Sequence, residues 1–463
     1  MMKHRVNIII LLSISILWLL SSCNTASRKK ENENIQTDTV VNLKTVIKRG
    51  IINNMTSLND PNCIYSFYYP KDSLSKYPVL ILLDPHAKGT YTVSLYQELA
   101  EKYNIILLSS NNTKNQQSIA EIQQYISCML LDASEYLPID TQKIYIGGFS
   151  GMARAVYQIG SNSNMYKGIV AAGAGYSNPL PWRDSLFCVI QMAGFKDMNF
   201  AEVYESNQIQ KNVSWLYMPY YFEGEHEWPA DTIMEFAFLN FFGKNNPNDI
   251  ANYVKRQYKN TLTIPLRDSW KKVLIYQSLR SLCQHLKYYG FPFNEMTIFI
   301  NKFESKNALK QFQTILKNEQ KEKDNLAKYF IEKDSVWWSK TIHFYQSIKN
   351  KKNLSPNDYK DLRLLNFIGL LSYSYCKSTL QQNRMDLSRK YLYIYQQADP
   401  YNGDMLYFWS IYFAKLQAYS RSIDSLSKAI KLGFCDKFLI ENENAFFPIK
   451  DSTRFMDIIN RIK

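Results

Sequence analysis

The sequence predicts a mainly parallel α/β sheet covered by helices on both faces, continued by an all-α helical-repeat region. Two patterns predict it. From about residue 62 to residue 243, short apolar runs alternate with helix-compatible segments, the order that builds a parallel sheet. Beyond Asn245 the strand signals stop, and long amphipathic patterns rich in Lys, Tyr, Phe and Leu take over. Charge divides the chain at the same place. Residues 244–463 carry 36 Lys/Arg against 20 Asp/Glu, or +16, whereas the preceding residues carry 19 against 21, or −2. A length of 463 residues is that of two domains, expected at 45–243 and 244–463.

In chain order, "CIYSFYYP" and "YPVLILLDPHAKG" read as strands, the second ending in a loop with Pro and Gly. "VSLYQELAEKY" reads as a helix, "NIILLSS" as a strand, "AEIQQYISCMLLDASEYL" as a helix, and "KIYIGG" as a strand. "KGIVAAGAG", "LFCVIQMAG" and "WLYMPYYFEGE" are further strands with helices between them, and "TIMEFAFLNFF" is the closing helix.

The chain opens on Lys3 and Arg5, followed by an apolar run from Val6 to Leu20 and small residues before Cys23. The run is short for a membrane span and reads as a secretory signal over residues 1–23. Leu20-Ser21-Ser22-Cys23 resembles the lipobox of bacterial lipoproteins, which implies lipidation of Cys23 and an exported chain tethered to a membrane of the cell envelope. Residues 24–44 are polar, of mixed charge and without apolar period, as suits a flexible leash. The other cysteines, at 63, 128, 188, 283, 376 and 435, form no C-x-x-C pair, and the five histidines form no metal-ligand cluster. Neither a metal nor a cofactor is expected. An exported chain is not expected to meet nucleic acid, so the basic half is read as solvated helix surface or as a face for anionic lipid, acidic glycan or protein.

The chemistry-bearing stretch is "IYIGGFSGMARAVYQIG", residues 144–160. A strand that breaks into glycines around one serine and resumes as a helix is the setting of a nucleophile elbow, in which a sharp turn exposes the serine hydroxyl above the sheet. The elbow pattern is G-x-S-x-G; here Met152 stands where its second glycine belongs. An acyl-transfer serine needs a histidine to take its proton and an acid to orient that histidine, in the chain order Ser, acid, His. Asp197 follows the strand "LFCVIQMAG" and His226 follows "WLYMPYYF", which meets that order. Glu223 is a rival acid.

"LLDPHAKG", "GGFSGMAR", "GFKDMNF" and "GEHEWP", in this order and spacing, resemble bacterial envelope α/β-hydrolases related to dienelactone hydrolases and to the feruloyl esterase and polyhydroxybutyrate depolymerase group. The likeness covers about residues 45–243. It implies Ser150 as nucleophile, His226 as general base and acid, and Asp197 as its orienter. It implies an oxyanion hole from the backbone N–H of Gly151 and one from the His86-Ala87 loop, assigned to Ala87. It also implies a small ester or other acylated substrate. Aromatic residues on loops after strands, Tyr176, Trp182, Phe200 and Trp228, are expected to rim its pocket together with His86.

In the second half Cys376 and Ser410, Ser388 and Ser422, and Leu392 and Leu426 are each 34 residues apart. With Pro400 and Ala429 they resemble tetratricopeptide repeats in which Ser and Cys replace the usual small residues. Two units are visible; the helices of 266–350 are expected to supply the rest of the stack and residues 438–463 a cap. Such an array either holds a protein partner on its concave face or shields the first domain. The expectation is therefore a lipid-anchored serine hydrolase acting on a carboxylic ester, with short or blocked peptides as an alternative substrate. The rival expectation is a hydrolase-like binding protein with little activity, whose basic helical region recruits a protein or anionic partner.

Overall fold

Continuous apolar runs such as Tyr77–Leu83 have no polar face to turn to solvent, so they are buried on both sides of a sheet. In the computed structural model, which describes residues 47–179, 187–210, 216–460 and 462, eight strands form one sheet in the order β1-β2-β4-β3-β5-β6-β7-β8. They are β1 (Ile52–Thr56), β2 (Ile64–Tyr68), β3 (Tyr77–Leu83), β4 (Ile106–Ser110), β5 (Ile139–Phe149), β6 (Tyr166–Ala172), β7 (Cys188–Gly194) and β8 (Leu216–Phe222). β1 and β2 are antiparallel to their neighbours, and the remaining pairs are parallel. With helices on both faces this is the α/β-hydrolase fold, as the sequence predicts. The expected leader over residues 1–23, Cys23 with it, and the expected tether over 24–44 lie outside the described residues, as does Trp182.

The registers Leu83↔Gly148, Phe149↔Ala172, Ala172↔Met192 and Gly194↔Phe222 end the parallel strands on one edge. The loops that carry Ser150, Asp197 and His226 all leave from that edge, where open α/β sheets place their sites.

Alternation along β3 divides the core. Val79, Ile81 and Leu83 pack with helices α2 (Ile119–Tyr136) and α3 (Gly151–Ser161). Leu80 and Leu82 pack on the other face with α1 (Gly89–Tyr103) and α5 (Asp231–Phe242). A capping box starts α2: the Ser118 hydroxyl accepts from the Glu121 N–H, and Glu121 accepts from the Ser118 N–H.

The described chain is one compact unit, and its apolar core does not divide at residue 243. Ile250, Tyr253 and Val254 on α6 (Pro247–Leu262), Leu279 and Leu282 on α7 (Ser269–His285), and Met296 on α8 (Phe293–Asn301) join the cluster that covers β8 and α5. This corrects the first part of the expectation for 266–350: α7 and α8 join the core of the sheet instead of extending a repeat stack. Their apolar faces are matched by Tyr220, Met234 and Phe236, which would otherwise face water.

The later helices are α9 (Phe303–Glu332), α10 (Ser335–Lys349), α11 (Pro356–Gln381), α12 (Met385–Ala398), α13 (Gly403–Lys415) and α14 (Tyr419–Lys431). The 34-residue spacing maps onto two successive pairs: Cys376 and Ser410 on the first helix of each pair, Ser388 with Leu392 and Ser422 with Leu426 on the second. All six are fully buried. The C-terminal end of α9 and all of α10 pack into this core through Leu326, Phe330 and Trp338. Phe446, Ile449, Phe455 and Ile458 close its far end.

Because α7 covers the sheet, Leu279→Ala is expected to destabilise the whole chain by about 2–5 kcal/mol, the cost of a large-to-small change in a closed core. Urea unfolding followed by tryptophan fluorescence measures it; a loss within the range of a surface substitution would mean that α7 is peripheral.

Candidate active site

β5 runs into α3 through one residue. Ser150 has φ 54° and ψ −119°, a conformation that costs an L-residue about 1–3 kcal/mol and that packing must enforce. Its N–H donates to the Ala172 carbonyl at 2.8 Å, and its carbonyl accepts from the Ala153 N–H at 3.0 Å. The turn requires glycine at 148, because a Cβ there would lie 2.5 Å from the Met152 carbonyl oxygen. Met152 itself is 2% exposed and belongs to the core cluster with Ile122, Ala155 and Val156. The close approach that the motif needs is therefore supplied at Gly148, and the larger residue two places after the serine is housed in the core.

The Ser150 Oγ lies 3.0 Å from His226 Nε2, and His226 Nδ1 lies 2.9 Å from Asp197 Oδ1. Asp197 is 1% exposed, and the same oxygen accepts the Asn199 N–H at 2.7 Å. A buried carboxylate at Nδ1 holds the imidazole in the tautomer that leaves Nε2 free to accept the serine proton. The Phe149 ring packs 4.7 Å from the imidazole. The rival acid, Glu223, is directed elsewhere: it pairs with Lys271 at 3.0 Å and Lys196 at 3.3 Å and accepts from the Tyr359 hydroxyl at 3.1 Å.

The oxyanion side differs from expectation. The Ala87 N–H donates to the Thr113 carbonyl at 3.1 Å and approaches the Asp84 carbonyl at 3.4 Å, so it is not a free donor beside Ser150. Ala87 is held at φ 58°, and the neighbouring N–H groups of His86 and Lys88 point to Asp84 Oδ1, at 2.8 and 3.4 Å. The loop after β4 brings a polar side chain to Gly151. The Asn115 carboxamide abuts Gly151, its Oδ1 being 1.9 Å from where a Cβ on that glycine would stand. Asn115 carries no signal in the sequence, since "NNTKNQQ" has only the signature of a polar loop.

A cleft of about 360 Å³ opens beside Gly151, lined by Asn115, Gln116, Arg154, Gln158, Tyr176 and Glu202 among others. Tyr176 lines this cleft and is stacked on Tyr157. The other described aromatics are not on the rim. Phe200 is fully buried among Phe195, Tyr204, Tyr221 and Phe312, because it opens a helix, α4 (Phe200–Gln210), that packs on the sheet. Trp228 lies behind the site, donating from Nε1 to Asp84 Oδ2 at 2.8 Å and packing on Phe149. His86 is exposed; burial raises the carboxyl of Asp404 in the helical region, and the His86 and Lys88 charges lower it in part. Arg154 and Glu202, which form a bidentate pair at 3.1 and 2.7 Å, give the cleft a charged wall that no sequence spacing announces.

No protein-family model matches the chain, and no curated protein matches it. Solved structures do. A fluorophosphonate-binding serine hydrolase F of Staphylococcus aureus, solved with substrate bound, is 13% identical with a TM-score of 0.34, over 41% of this chain and 96% of that one. The S-formylglutathione hydrolase of Staphylococcus aureus is 12% identical with a TM-score of 0.34, over 42% and 97%. A putative dienelactone hydrolase from Klebsiella pneumoniae is 14% identical with a TM-score of 0.32, over 42% and 98%.

Burial of Met152 makes it a test of the elbow's packing. Met152→Gly is expected to cost about 2–5 kcal/mol through the cavity and up to about 1 kcal/mol more through helix propensity, whereas Met152→Leu should cost less than about 1.5 kcal/mol. Denaturant midpoints of the two variants report this. Equal midpoints would show that the side chain contributes no packing.

Proposed function

We propose that the chain is a serine hydrolase that cleaves a carboxylic ester through an acyl-enzyme on Ser150. The observation that carries this reading is the continuous chain from the strained Ser150 through His226 to the buried Asp197. In the proposed cycle, Oγ attacks the ester carbonyl carbon while Nε2 takes the hydroxyl proton. The Asp197 carboxylate stabilises the resulting imidazolium. The carbonyl electron pair moves onto oxygen, which accepts hydrogen bonds from the Gly151 N–H and from Asn115 Nδ2 in place of Ala87. Collapse expels the alkoxide, which receives the proton from Nε2. A water activated by the same nitrogen then releases the acid and restores Ser150.

The cleft suits a substrate with both polar and apolar parts, since amide side chains and the Arg154–Glu202 pair line it beside Ile119, Ile122 and Tyr176. Short or blocked peptides fit the same chemistry. We also propose that Cys23 is lipidated and tethers the chain in the cell envelope, and that the two helix pairs of the C-terminal region are tetratricopeptide-like.

A fluorophosphonate probe reacts only with an activated serine, so it should label the purified protein and fail to label Ser150→Ala. Absence of labelling in the native protein would favour the rival reading, a binding protein with an idle site. Asn115→Ala is expected to lower kcat by about 10²–10³-fold with little change in KM, the usual effect of losing one oxyanion donor; an unchanged kcat would return the role to another group. Asp197→Asn should lower turnover by up to about 10⁴-fold through the wrong tautomer, whereas Glu223→Gln should leave it near native; the reverse order would reassign the acid. Cys23→Ser should move the protein from the membrane fraction to the soluble fraction, and retention would locate the anchor elsewhere.

A further inference from the structure

The loop that carries Asp197 is held from outside the hydrolase sheet. Its residues Phe195 to Asn199 leave β7 as a short turn, and three of its carbonyls accept hydrogen bonds from the helical region. Arg363 Nη1 on α11 donates to the Phe195 carbonyl at 2.7 Å, and Asn366 Nδ2, one turn on, donates to the Lys196 carbonyl at 3.3 Å. Lys323 Nζ on α9 donates to the Met198 carbonyl at 2.7 Å. The three acceptors bracket Asp197 on both sides.

The donors are themselves fixed. Glu319, fully buried on α9, binds the Arg363 guanidinium at Nε (3.0 Å) and Nη2 (2.6 Å), and lies 3.1 Å from Lys323 Nζ. Burial pushes its carboxyl up, but the Arg363 and Lys323 charges outweigh this and hold it below the usual carboxylate range. The Arg363 guanidinium also packs 5.2 Å from the Phe200 ring, at the start of the helix that follows the loop. Such a desolvated network is costly as mere structure, because a buried ion pair seldom outperforms apolar packing of the same volume. It does, however, fix direction, since each N–H must meet one carbonyl.

We propose that Arg363, Asn366 and Lys323 are positioning residues for the hydrolase, a clamp from the helical region that sets the Asp197 carboxylate against His226. The proposal rests on Asp197 being the acid partner of His226. It makes the helical region part of the catalytic apparatus. The same region also reaches the loops on the other side of the site: Lys114 pairs with Asp436 at 3.2 Å, Lys377 donates to Gln116 Oε1, and Lys88 Nζ lies 3.4 Å from the Gly433 carbonyl.

The test uses Asn366→Leu and Lys323→Met in the full chain, with Lys323→Arg as the conservative control, and leaves Arg363 intact because its loss strands Glu319. The imidazole pKa of His226 is followed by NMR titration, assigned by its absence in His226→Ala, alongside probe labelling and steady-state kinetics. A carboxylate beside an imidazole favours the charged ring. Loosening the clamp should therefore move the His226 titration downward, reduce kcat about tenfold or more, and leave KM unchanged. Lys323→Arg should restore both. Removing a lysine charge would by itself raise the pKa, so a fall in Lys323→Met cannot come from that source. In an Asp197→Asn background neither substitution should have a further effect on the titration.

A His226 pKa unchanged in both variants, or an equal shift in the Asp197→Asn background, overturns the clamp whatever the activity. If the native protein fails to label, the ester-hydrolase reading falls on its own, and the titration still decides the clamp.

Discussion

The site depends on a backbone conformation that an isolated chain avoids. Ser150 at φ 54° and ψ −119° persists because the sheet and α3 over-determine it: its N–H is tied to β6 at Ala172, its carbonyl to the first turn of α3, and Gly148 allows that turn to approach. The strain is stored by the burial of β5 and β6, whose ends reach the same edge as those of β7 and β8. With the strand ends aligned, the serine, acid and histidine loops need only short reaches to meet.

Packing of the second half extends that constraint. The hydrolase sheet has a face covered by α6, α7 and α8, and a site edge met by α9 and α11. Trp270, stacked on Phe312 with ring centroids 3.9 Å apart, ties α7 to α9 within the cluster that also contains Phe195 and Phe200. Aromatic burial thus supplies the cohesion, and the Arg363–Glu319–Lys323 network supplies direction at the acid loop. The two tasks call for different chemistry, since apolar contact is non-directional and a hydrogen bond is not.

Much of this was legible in the residues, and the gaps have physical causes. Buried parallel strands read clearly because β3, β6 and β7 need apolar residues on both faces, and the elbow read clearly because strand, glycines and helix follow in one short stretch. β1 was passed over, since Ile52–Thr56 is an exposed edge strand with asparagines at its centre and little alternation. Amphipathicity in α7 announces a buried face without saying against what; the structure sets that face on the sheet. The order Ser150, Asp197, His226 is visible in the sequence and favours Asp197 over Glu223; the structure adds that Lys271 and Lys196 pair with Glu223. The expectation for Ala87 fails because a backbone amide's partner is a matter of tertiary contact: the Thr113 carbonyl, 26 residues on, takes it. Asn115 and the clamp residues gave no signal, being single polar side chains whose meaning comes from what lies opposite.

The most direct measurement is a crystal structure of the full chain after reaction with a fluorophosphonate. The account predicts phosphorus bonded to Ser150 Oγ, its free oxygen accepting from the Gly151 N–H and Asn115 Nδ2, and His226 still bridging to an Asp197 held by Arg363, Asn366 and Lys323. Phosphorus on another residue, or a serine adduct whose oxygen points to the 84–88 loop while Asn115 faces away, would contradict it.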